Sequence, residues 1–297
     1  MSEVRIGVTV PQFTGDRSRF VDSCERAIAL GFDSLWVFDH LWPLGGKRER
    51  PILECWTALA YVAATYPDVQ VGTLVTRASL RHPVVVAKMA ATLAAIAPDR
   101  VIVGLGSGDE MNKDENVAFG APYYDAGDRV RQLVSTLEVV QRFLKTPEAT
   151  LHDEFVDVRD LPSSPRPEPP PRVWIGGRSV ELLEVAGRIA DGWNGWGANL
   201  ATFADDAHRV REIAGERAFD ISWAGQVLLA RDDATARERL GARDPAHFVL
   251  GGPETVRARL REAIAAGACH LIVALLEAGP SAYEDLAAVV EDLEESD

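Results

Sequence analysis

The sequence predicts a (β/α)8 barrel, the TIM-barrel architecture of the α/β class. Along its 297 residues, eight short apolar segments alternate with segments that have the apolar spacing of helices. This alternation is typical of parallel strands joined by right-handed crossovers, and a count of eight favours a closed barrel over an open doubly wound sheet. We expect one barrel domain over residues 1–297, a usual length for this fold.

The predicted strands are short runs rich in β-branched and apolar residues. In chain order they cover residues 4–10, 33–38, 69–76, 100–105, 172–175, 192–195, 221–230 and 270–275. The predicted helices cover residues 16–30, 53–66, a segment that His82 and Pro83 open, and then 124–144, 180–190, 202–214, 253–266 and 281–294. Gly31 ends the first helix, and a proline is tolerated in the first turn of the third.

An insertion over residues 146–171 separates the fourth helix from the fifth strand. Within it, residues 149–158 are compatible with a small hairpin, and residues 161–171 form a proline-rich tract that must be extended. Two interpretations stay open for this segment. It is either a surface connector or a lid over one side of the barrel mouth.

The composition excludes several classes of partner. The formal net charge is −14, from 31 basic and 45 acidic residues, so we expect neither nucleic acid nor a membrane as a partner. The three cysteines are far apart, and the chain starts almost directly with a strand, which together predict a cytoplasmic protein with reduced thiols. The sequence has no cluster of histidines and cysteines at metal-ligand spacing, so a metal site is not expected. It also lacks the G-x-S-x-G motif of serine hydrolases.

Polar side chains follow the second predicted strand, where a barrel enzyme carries its chemistry. Asp39 and His40 stand at this position. An imidazole, with its ordinary pKa of about 6.5, can give or take a proton at neutral pH, and the adjacent carboxylate can accept hydrogen bonds from a bound ring. The alternative is a structural histidine. Trp42, in the loop just after this pair, is our candidate for a wall of the substrate pocket.

Two glycine-rich loops follow the fourth and fifth strands. The run 104–110 is not a dinucleotide fingerprint, because Asp109 stands where the last glycine is required, and either a large planar ligand or a plain tight turn suits it. Asp109 and Glu110 are acid or base candidates at its rim. The second loop presents Gly176, Gly177 and Arg178 before a helix, which favours a phosphate site over the alternative of a plain turn. Holding an anionic cofactor against the net charge would need a cluster of Arg77, Arg81 and Arg178 at the mouth.

In order and spacing, these segments resemble the bacterial luciferase-like monooxygenase superfamily and, within it, the branch that uses the deazaflavin coenzyme F420. The resemblance spans nearly the whole chain. It rests on residues 6–8, 31–36 with Asp39 and His40, 71–76, His82-Pro83 with Lys88, 106–108, 174–177 and 190–193.

The resemblance implies that the deazaflavin lies across the barrel mouth, with Asp39 against its ring system and His40 transferring a proton beside the hydride, assisted by Asp109. It implies a non-proline cis peptide within 73–76, expected between Thr73 and Leu74. The implied cofactor-binding residues are Asp39, Thr73, Leu74, Val75, Thr76, Gly106, Ser107, Gly108, Asn112, Gly176, Gly177 and Arg178. Homodimers are frequent in the family, so a homodimer that acts on a small-molecule substrate is expected.

More than one substrate and more than one cofactor are compatible with these residues. Residues 107–112 are similar to a loop of F420-dependent glucose-6-phosphate dehydrogenases and methylenetetrahydromethanopterin reductases, which usually have Glu in place of Asp109. Because residues 193–201 contain no basic side chain, we do not assign glucose 6-phosphate. An FMN-dependent monooxygenase that is supplied by a partner reductase is the alternative function. A non-catalytic flavin carrier is a third, which the Asp39-His40 pair argues against.

Overall fold

The computed structural model describes residues 4–43, 47–291 and 293, and it contains a closed barrel of eight parallel strands. These barrel strands are β1 (Arg5–Thr9), β2 (Ser34–Val37), β3 (Gln70–Thr73), β4 (Val101–Gly106), β5 (Arg172–Gly176), β6 (Gly192–Trp196), β7 (Asp220–Leu229) and β8 (His270–Leu275). Gly7 of β1 pairs with Ser34 of β2 on one side and with Ile272 of β8 on the other, which closes the ring. The predicted eight-stranded barrel is confirmed.

The helices surround the barrel. They are α1 (Arg17–Ala29), α2 (Cys55–Thr65), α3 (Pro83–Ile96), α4 (Lys113–Ala118), α5 (Ala126–Lys145), α6 (Val180–Ile189), α7 (Leu200–Ala214), α8 (Asp233–Leu240), α9 (Pro253–Ala265) and α10 (Pro280–Glu291). Side chains that precede a helix cap several of them: Asp16, Glu54 and Ser179 accept hydrogen bonds from N–H groups of the first turn. Within the described ranges, no helix has the length and hydrophobicity needed to cross a bilayer.

Several short elements were not predicted. They include α4, α8, a strand Phe248–Gly251 beside β7, and a separate strand Thr76–Arg77 beside β4, whose first residue the predicted third strand contained. Helix α4 has six residues and buries two polar ones, Glu115 and Asn116, so it has no apolar periodicity to detect. This helix lies in the loop after β4, at the mouth of the barrel.

The barrel interior is filled by two stacked indoles with a histidine at their edges. Trp36 and Trp174 stack with ring centroids 5.5 Å apart, and both meet His270 edge to face. His270 is 2% exposed, and its Nε2 lies 2.7 Å from Ser34 Oγ. Burial lowers the pKa of His270 to about 3, so this imidazole is neutral and packs as part of the core.

The insertion between Lys145 and Arg172 lies against the outside of the barrel. Its hairpin pairs Glu148–His152 with Asp157–Pro162, and the tip packs on α5, where Ser135 Oγ donates to Asp153 Oδ2 at 2.6 Å. Further along, the Ser164 carbonyl accepts a hydrogen bond from Lys88 Nζ of α3. These contacts favour the interpretation as a surface connector over a lid on the mouth.

Candidate active site at the carboxyl ends of the strands

Asp39 lies in a buried ion cluster beside the end of β2. Its side chain is fully buried, and its two oxygens accept a fork of hydrogen bonds from Arg81 at 2.7 and 2.9 Å. The backbone N–H of Arg77 donates to the same carboxylate at 2.9 Å, and Arg77 Nε donates to the Asp39 carbonyl at 2.9 Å. Asp39 therefore ties the segment after β3 to the end of β2, and its contact with a bound ring stays a prediction.

A second carboxylate shares Arg81. Glu54 Oε1 accepts from Arg81 Nη2 at 2.5 Å, and the same side chain caps α2 by accepting from Trp56 N and Thr57 N. Burial alone would raise the pKa of Glu54, but the hydrogen bonds from Thr57 and Trp56 and the charge of Arg81 outweigh it, and its pKa lies below the usual value. Arg81 is thus engaged by two carboxylates.

His40 forms a pair with a residue that the sequence analysis missed. The Nδ1 atom of His40 lies 3.0 Å from Oε2 of Glu115, with the two side chains 13% and 1% exposed. Glu115 is carried by α4, 75 positions further along the chain. The detectable signal was a set of polar residues spaced to share one helix face, Asn112, Glu115 and Asn116, all of which are buried.

Glu115 is held from several directions. Its Oε1 accepts from the backbone N–H of Leu41 and, at 3.2 Å, from that of Trp42. Arg77 Nη2 forms an ion pair with Oε2 at 2.9 Å, although off the geometry of a hydrogen bond. Burial by itself would raise the pKa of Glu115, but the hydrogen bonds from His40 and Leu41 and the charge of Arg77 lower it overall, so the group is an ionised carboxylate.

The non-proline cis peptide lies between Leu74 and Val75, one bond further along than the expected position between Thr73 and Leu74. The correction has a simple reason. Thr73 is the last residue of β3, where its Oγ1 donates to the Gly104 carbonyl at 2.9 Å, and the N–H of Leu74 still donates to the Val37 carbonyl at 2.9 Å. The chain therefore leaves the sheet only after Leu74.

Val75 fills a space that three glycines leave open. A Cβ built on Gly104, Gly106 or Gly176 would stand 2.7, 2.5 or 2.9 Å from a methyl carbon of Val75, closer than real Cβ contacts. These glycines of β4 and β5 are thus required by the packing of Val75 under the mouth. A role of Gly106 and Gly176 in close approach to a cofactor stays a prediction.

Asp109 starts a short 3-10 turn at the rim. The side chain of this exposed residue accepts from Met111 N at 2.9 Å, and Asn112 Oδ1 accepts in turn from Asp109 N at 2.9 Å. Gly108 has a φ of +71°, and a Cβ there would stand 2.9 Å from Asn112 Oδ1. Ser107 Oγ donates to the Gly108 carbonyl at 3.2 Å. The predicted loop residues thus form a capped turn beside the mouth.

The loop after β5 also requires a glycine. Gly177 has a φ of +125°, and a Cβ there would meet Leu182 at 2.4 Å, so any side chain is excluded on two grounds. Arg178 Nε donates to Asp206 Oδ2 at 2.7 Å. Since Arg77 and Arg81 are also bound by carboxylates, none of the three arginines of the expected anion-binding cluster is free of a counter-charge.

Three buried polar atoms at the mouth lack a hydrogen-bond partner within the described residues. Arg77 Nη2 is in the ion pair with Glu115, and the other two are Thr76 Oγ1, after β3, and Arg178 Nη2, after β5. Buried polar atoms in native proteins are nearly always satisfied, so such atoms indicate where a ligand or water completes the site. A hydroxyl and a guanidinium nitrogen suit an anionic cofactor with hydrogen-bonding ring edges, as F420 is.

Aromatic side chains line the mouth. Phe38, after β2, meets Trp196, the last residue of β6, edge to face with centroids 5.7 Å apart. Phe13 lies 6.1 Å from Phe38. Strands β2 and β6 are four apart in the ring of eight, so this contact spans the opening. An aromatic contact therefore crosses the opening.

Trp42 lies two residues after His40 and joins its loop to the α4 segment. The Arg48 guanidinium carbon stands 4.2 Å above its ring, and Phe119 meets it edge to face at 6.3 Å. Its half-buried position beside His40 leaves its predicted role as a pocket wall open.

The chain matches the luciferase-like monooxygenase family over residues 3–294. It is 30% identical over 226 residues to an F420-dependent glucose-6-phosphate dehydrogenase of Kineococcus radiotolerans, covering 74% of this chain and 66% of that one. It is 26% identical over 189 residues to an F420-dependent hydroxymycolic acid dehydrogenase of Mycobacterium tuberculosis, covering 63% of this chain and 51% of that one. The chain thus aligns with about half to two thirds of the length of these relatives.

Solved structures agree on the fold. An F420-dependent secondary alcohol dehydrogenase in complex with an F420-acetone adduct superposes with a TM-score of 0.86 at 18% identity, covering 99% of this chain and 100% of that one. The F420-dependent tetrahydromethanopterin reductase of Methanopyrus kandleri superposes with a TM-score of 0.77 at 18% identity, over 96% and 98% of the two chains. From the family match and this architecture together, the chain belongs to the luciferase-like monooxygenase family.

Proposed function

We propose that the protein is an F420-dependent oxidoreductase that transfers hydride between the deazaflavin and a small organic substrate. The observation that carries the proposal is the position of His40, just after β2 at the mouth of the barrel, where its Nδ1 lies 3.0 Å from Glu115 Oε2. The named activities of the curated relatives support the choice of F420 over other redox cofactors.

The residues around the mouth would hold the cofactor as follows. Thr76 Oγ1 and Arg178 Nη2 are available to bind its polar edge and an anionic group, and the N-terminus of α6 after Gly177 favours negative charge. Val75 presents a half-buried apolar side chain on which a flat ring can lie. We extend the same role to the other predicted binding residues, which are Asp39, Thr73, Leu74, Gly106, Ser107, Gly108, Asn112 and Gly176.

When bound, F420 supplies a carbon that accepts or returns a hydride. Oxidation of an alcohol by hydride loss also releases the hydroxyl proton, and we assign to His40 the role of accepting it and of returning it in the reverse reaction. Asp109, exposed at the rim, would assist this exchange. The aromatic pair Phe38 and Trp196 would give the bound ring an apolar surface to contact.

The substrate that we propose is uncharged. The arginines of the site, Arg77, Arg81 and Arg178, each contact a carboxylate, so a phosphate group would have to compete with an existing ion pair. Purified enzyme with F420 should therefore reduce the cofactor with neutral secondary alcohols at least tenfold faster than with glucose 6-phosphate at equal concentration. Faster reaction with the sugar phosphate would contradict this substrate class.

Binding of the two candidate cofactors tests the function directly. Titration of the protein with F420 and with FMN, followed by quenching of their fluorescence, should give a lower Kd for F420. Tight FMN binding without F420 binding would favour the alternative, an FMN-dependent monooxygenase. A His40→Ala variant should bind F420 but lose turnover. Normal turnover of this variant would reject the acid–base role.

We also propose that the protein is a homodimer. Val85 and Ile96 are exposed on α3 and stand eleven residues, about three turns, apart, so they share one face. Tyr61 is exposed on the neighbouring α2. Light scattering after size-exclusion chromatography should give twice the chain mass, and Val85→Glu should lower it to the mass of one chain.

The compartment that we propose is the cytoplasm. The three cysteines, Cys24, Cys55 and Cys269, are free thiols, and burial raises the pKa of each, which suits a reducing environment. Cell fractionation with thiol labelling of the intact protein would test this location.

A further inference from the structure

Helix α4 has its polarity reversed with respect to an ordinary surface helix. Glu115 and Asn116 are buried at 1% exposure, whereas Val117 in the same helix is 65% exposed, and Phe119 just after it 54%. Surface helices usually bury their apolar residues and expose their polar ones. Helix α4 therefore leaves apolar side chains exposed and buries a carboxylate and an amide.

Both oxygens of the buried Glu115 carboxylate have polar partners. One oxygen of Glu115 accepts two backbone N–H groups from the loop after His40, at Leu41 and Trp42. The other oxygen faces His40 Nδ1 at 3.0 Å and the Arg77 guanidinium at 2.9 Å. Asn116 fixes that guanidinium from the other side, accepting from Arg77 Nη1 at 3.0 Å.

The donor and acceptor roles follow from this arrangement. An ionised carboxylate can only accept hydrogen bonds, so the proton of the contact must be on Nδ1 of the imidazole. A neutral imidazole carries one proton, so its Nε2 is then an acceptor with a free lone pair. Arg77 supplies a positive charge beside the same carboxylate oxygen.

We infer that Glu115 is a positioning residue, which fixes the proton of the neutral form of His40 on Nδ1 and leaves Nε2 as the atom that exchanges a proton. The catalytic meaning of this tautomer rests on the proposed function, whereas the tautomer itself does not. The charged groups that face the pair are Arg77 directly and, beyond it, Asp39 and Arg81.

The tautomer can be measured without cofactor or substrate. In two-dimensional ¹⁵N–¹H spectra of the labelled protein above pH 8, assigned with a His40→Ala variant, the His40 ring should show a protonated Nδ1 and an unprotonated Nε2. A protonated Nε2 in the unaltered protein would overturn the inference, whatever the variants do.

Substitution tests the cause. In Glu115→Gln the amide can donate to Nδ1, so the ring should change to the Nε2–H form, whereas Glu115→Asp should retain the Nδ1–H form at least in part. The matched control is Asp114→Asn, on the same helix, which removes an exposed carboxylate paired with Arg48. An unchanged tautomer in a folded Glu115→Gln variant would overturn the inference.

Kinetics separate this inference from the proposed function. With F420 and an active alcohol, Glu115→Gln should lower kcat by about 100-fold, the lower end of general acid–base effects, with KM changed less than threefold. Glu115→Asp should recover part of the loss, and Asp114→Asn should keep the original kcat. If the tautomer changes as expected while His40→Ala keeps full activity, the positioning role stands and the acid–base role of His40 is rejected.

Discussion

Val75 packs against the bare Cα of Gly106, so that a Cβ added to the glycine would stand 2.5 Å from Val75 Cγ2. The same side chain occupies the space beside Gly104 and Gly176. Val75 thus fits a space between β4 and β5 that exists because both strands have glycine at the facing positions. We call this space the socket. The socket fixes where the segment after β3 crosses the mouth.

Gly106→Ala should therefore destabilise the protein through Val75. Overpacking of a well-filled site costs about 1–3 kcal/mol, and the free energy of unfolding in urea should fall by that amount. Combining Gly106→Ala with Val75→Ala should recover part of the loss. Gly127→Ala in α5 is the matched control, because its Cβ would meet the nearest atom at an ordinary 3.6 Å. Equal losses in the single and double variants would refute the socket.

Asp39→Asn should destabilise the fold more than an exposed counterpart. The substitution leaves Arg81, whose side chain is 13% exposed, with only Glu54 as a counter-charge. Breaking a buried ion pair costs about 3–5 kcal/mol, whereas an exposed pair contributes about 0.2–1 kcal/mol. Urea unfolding of Asp39→Asn and Asp114→Asn, side by side, checks the difference. Comparable losses would mean that the Asp39 pair is not a structural one.

Thr76 and Thr73 provide a pair of equivalent substitutions with opposite expectations. Thr73 Oγ1 donates to a carbonyl, so Thr73→Val should cost about 1 kcal/mol of unfolding free energy. Thr76 Oγ1 has no partner among the described residues, so Thr76→Val should leave stability unchanged and raise the Kd for F420 about tenfold, the loss of about one hydrogen bond. Thermal unfolding and fluorescence titration measure the two effects. A large stability loss in Thr76→Val would contradict the assignment of its hydroxyl to a ligand.

His270 makes stability depend on pH. The unfolded chain protonates this imidazole below the ordinary pKa of 6.5, whereas the folded protein keeps it neutral down to a pKa of about 3. The unfolded state then binds more protons between these values, so the free energy of unfolding should fall as the pH drops through this window, by up to about 1.4 kcal/mol per pH unit.

The contribution of this histidine can be isolated. Urea unfolding at several pH values should show a slope in His270→Gln that is smaller by up to about one proton than in the unaltered protein. His208→Gln, at an exposed helix position, is the control for the replacement of a histidine by glutamine. A slope that is equal in all three proteins would show that His270 is not buried neutral.

Much of the fold could be predicted because its signals are local. Strand β8 was predicted at residues 270–275, as observed, from a continuous apolar run. The cis peptide was placed one bond early, because the end of β3 depends on hydrogen bonds with β2 and β4, which one sequence does not show. Glu115 escaped notice for a related reason. Its meaning comes from His40, 75 residues away, and its helix is too short to have a recognisable period.

Helix α4 is supplied by the loop after β4, whereas His40 is supplied by the barrel frame at β2. His40 and the Glu115 carboxylate thus lie on separate segments of the chain. Replacing residues 107–125 as one block with the equivalent block of a relative would exchange the carboxylate, its asparagine support and the neighbouring aromatic ring together, and leave the imidazole in place. If His40 has the acid–base role that we propose, its proton chemistry can be altered by grafting this one loop, without redesign of any barrel strand.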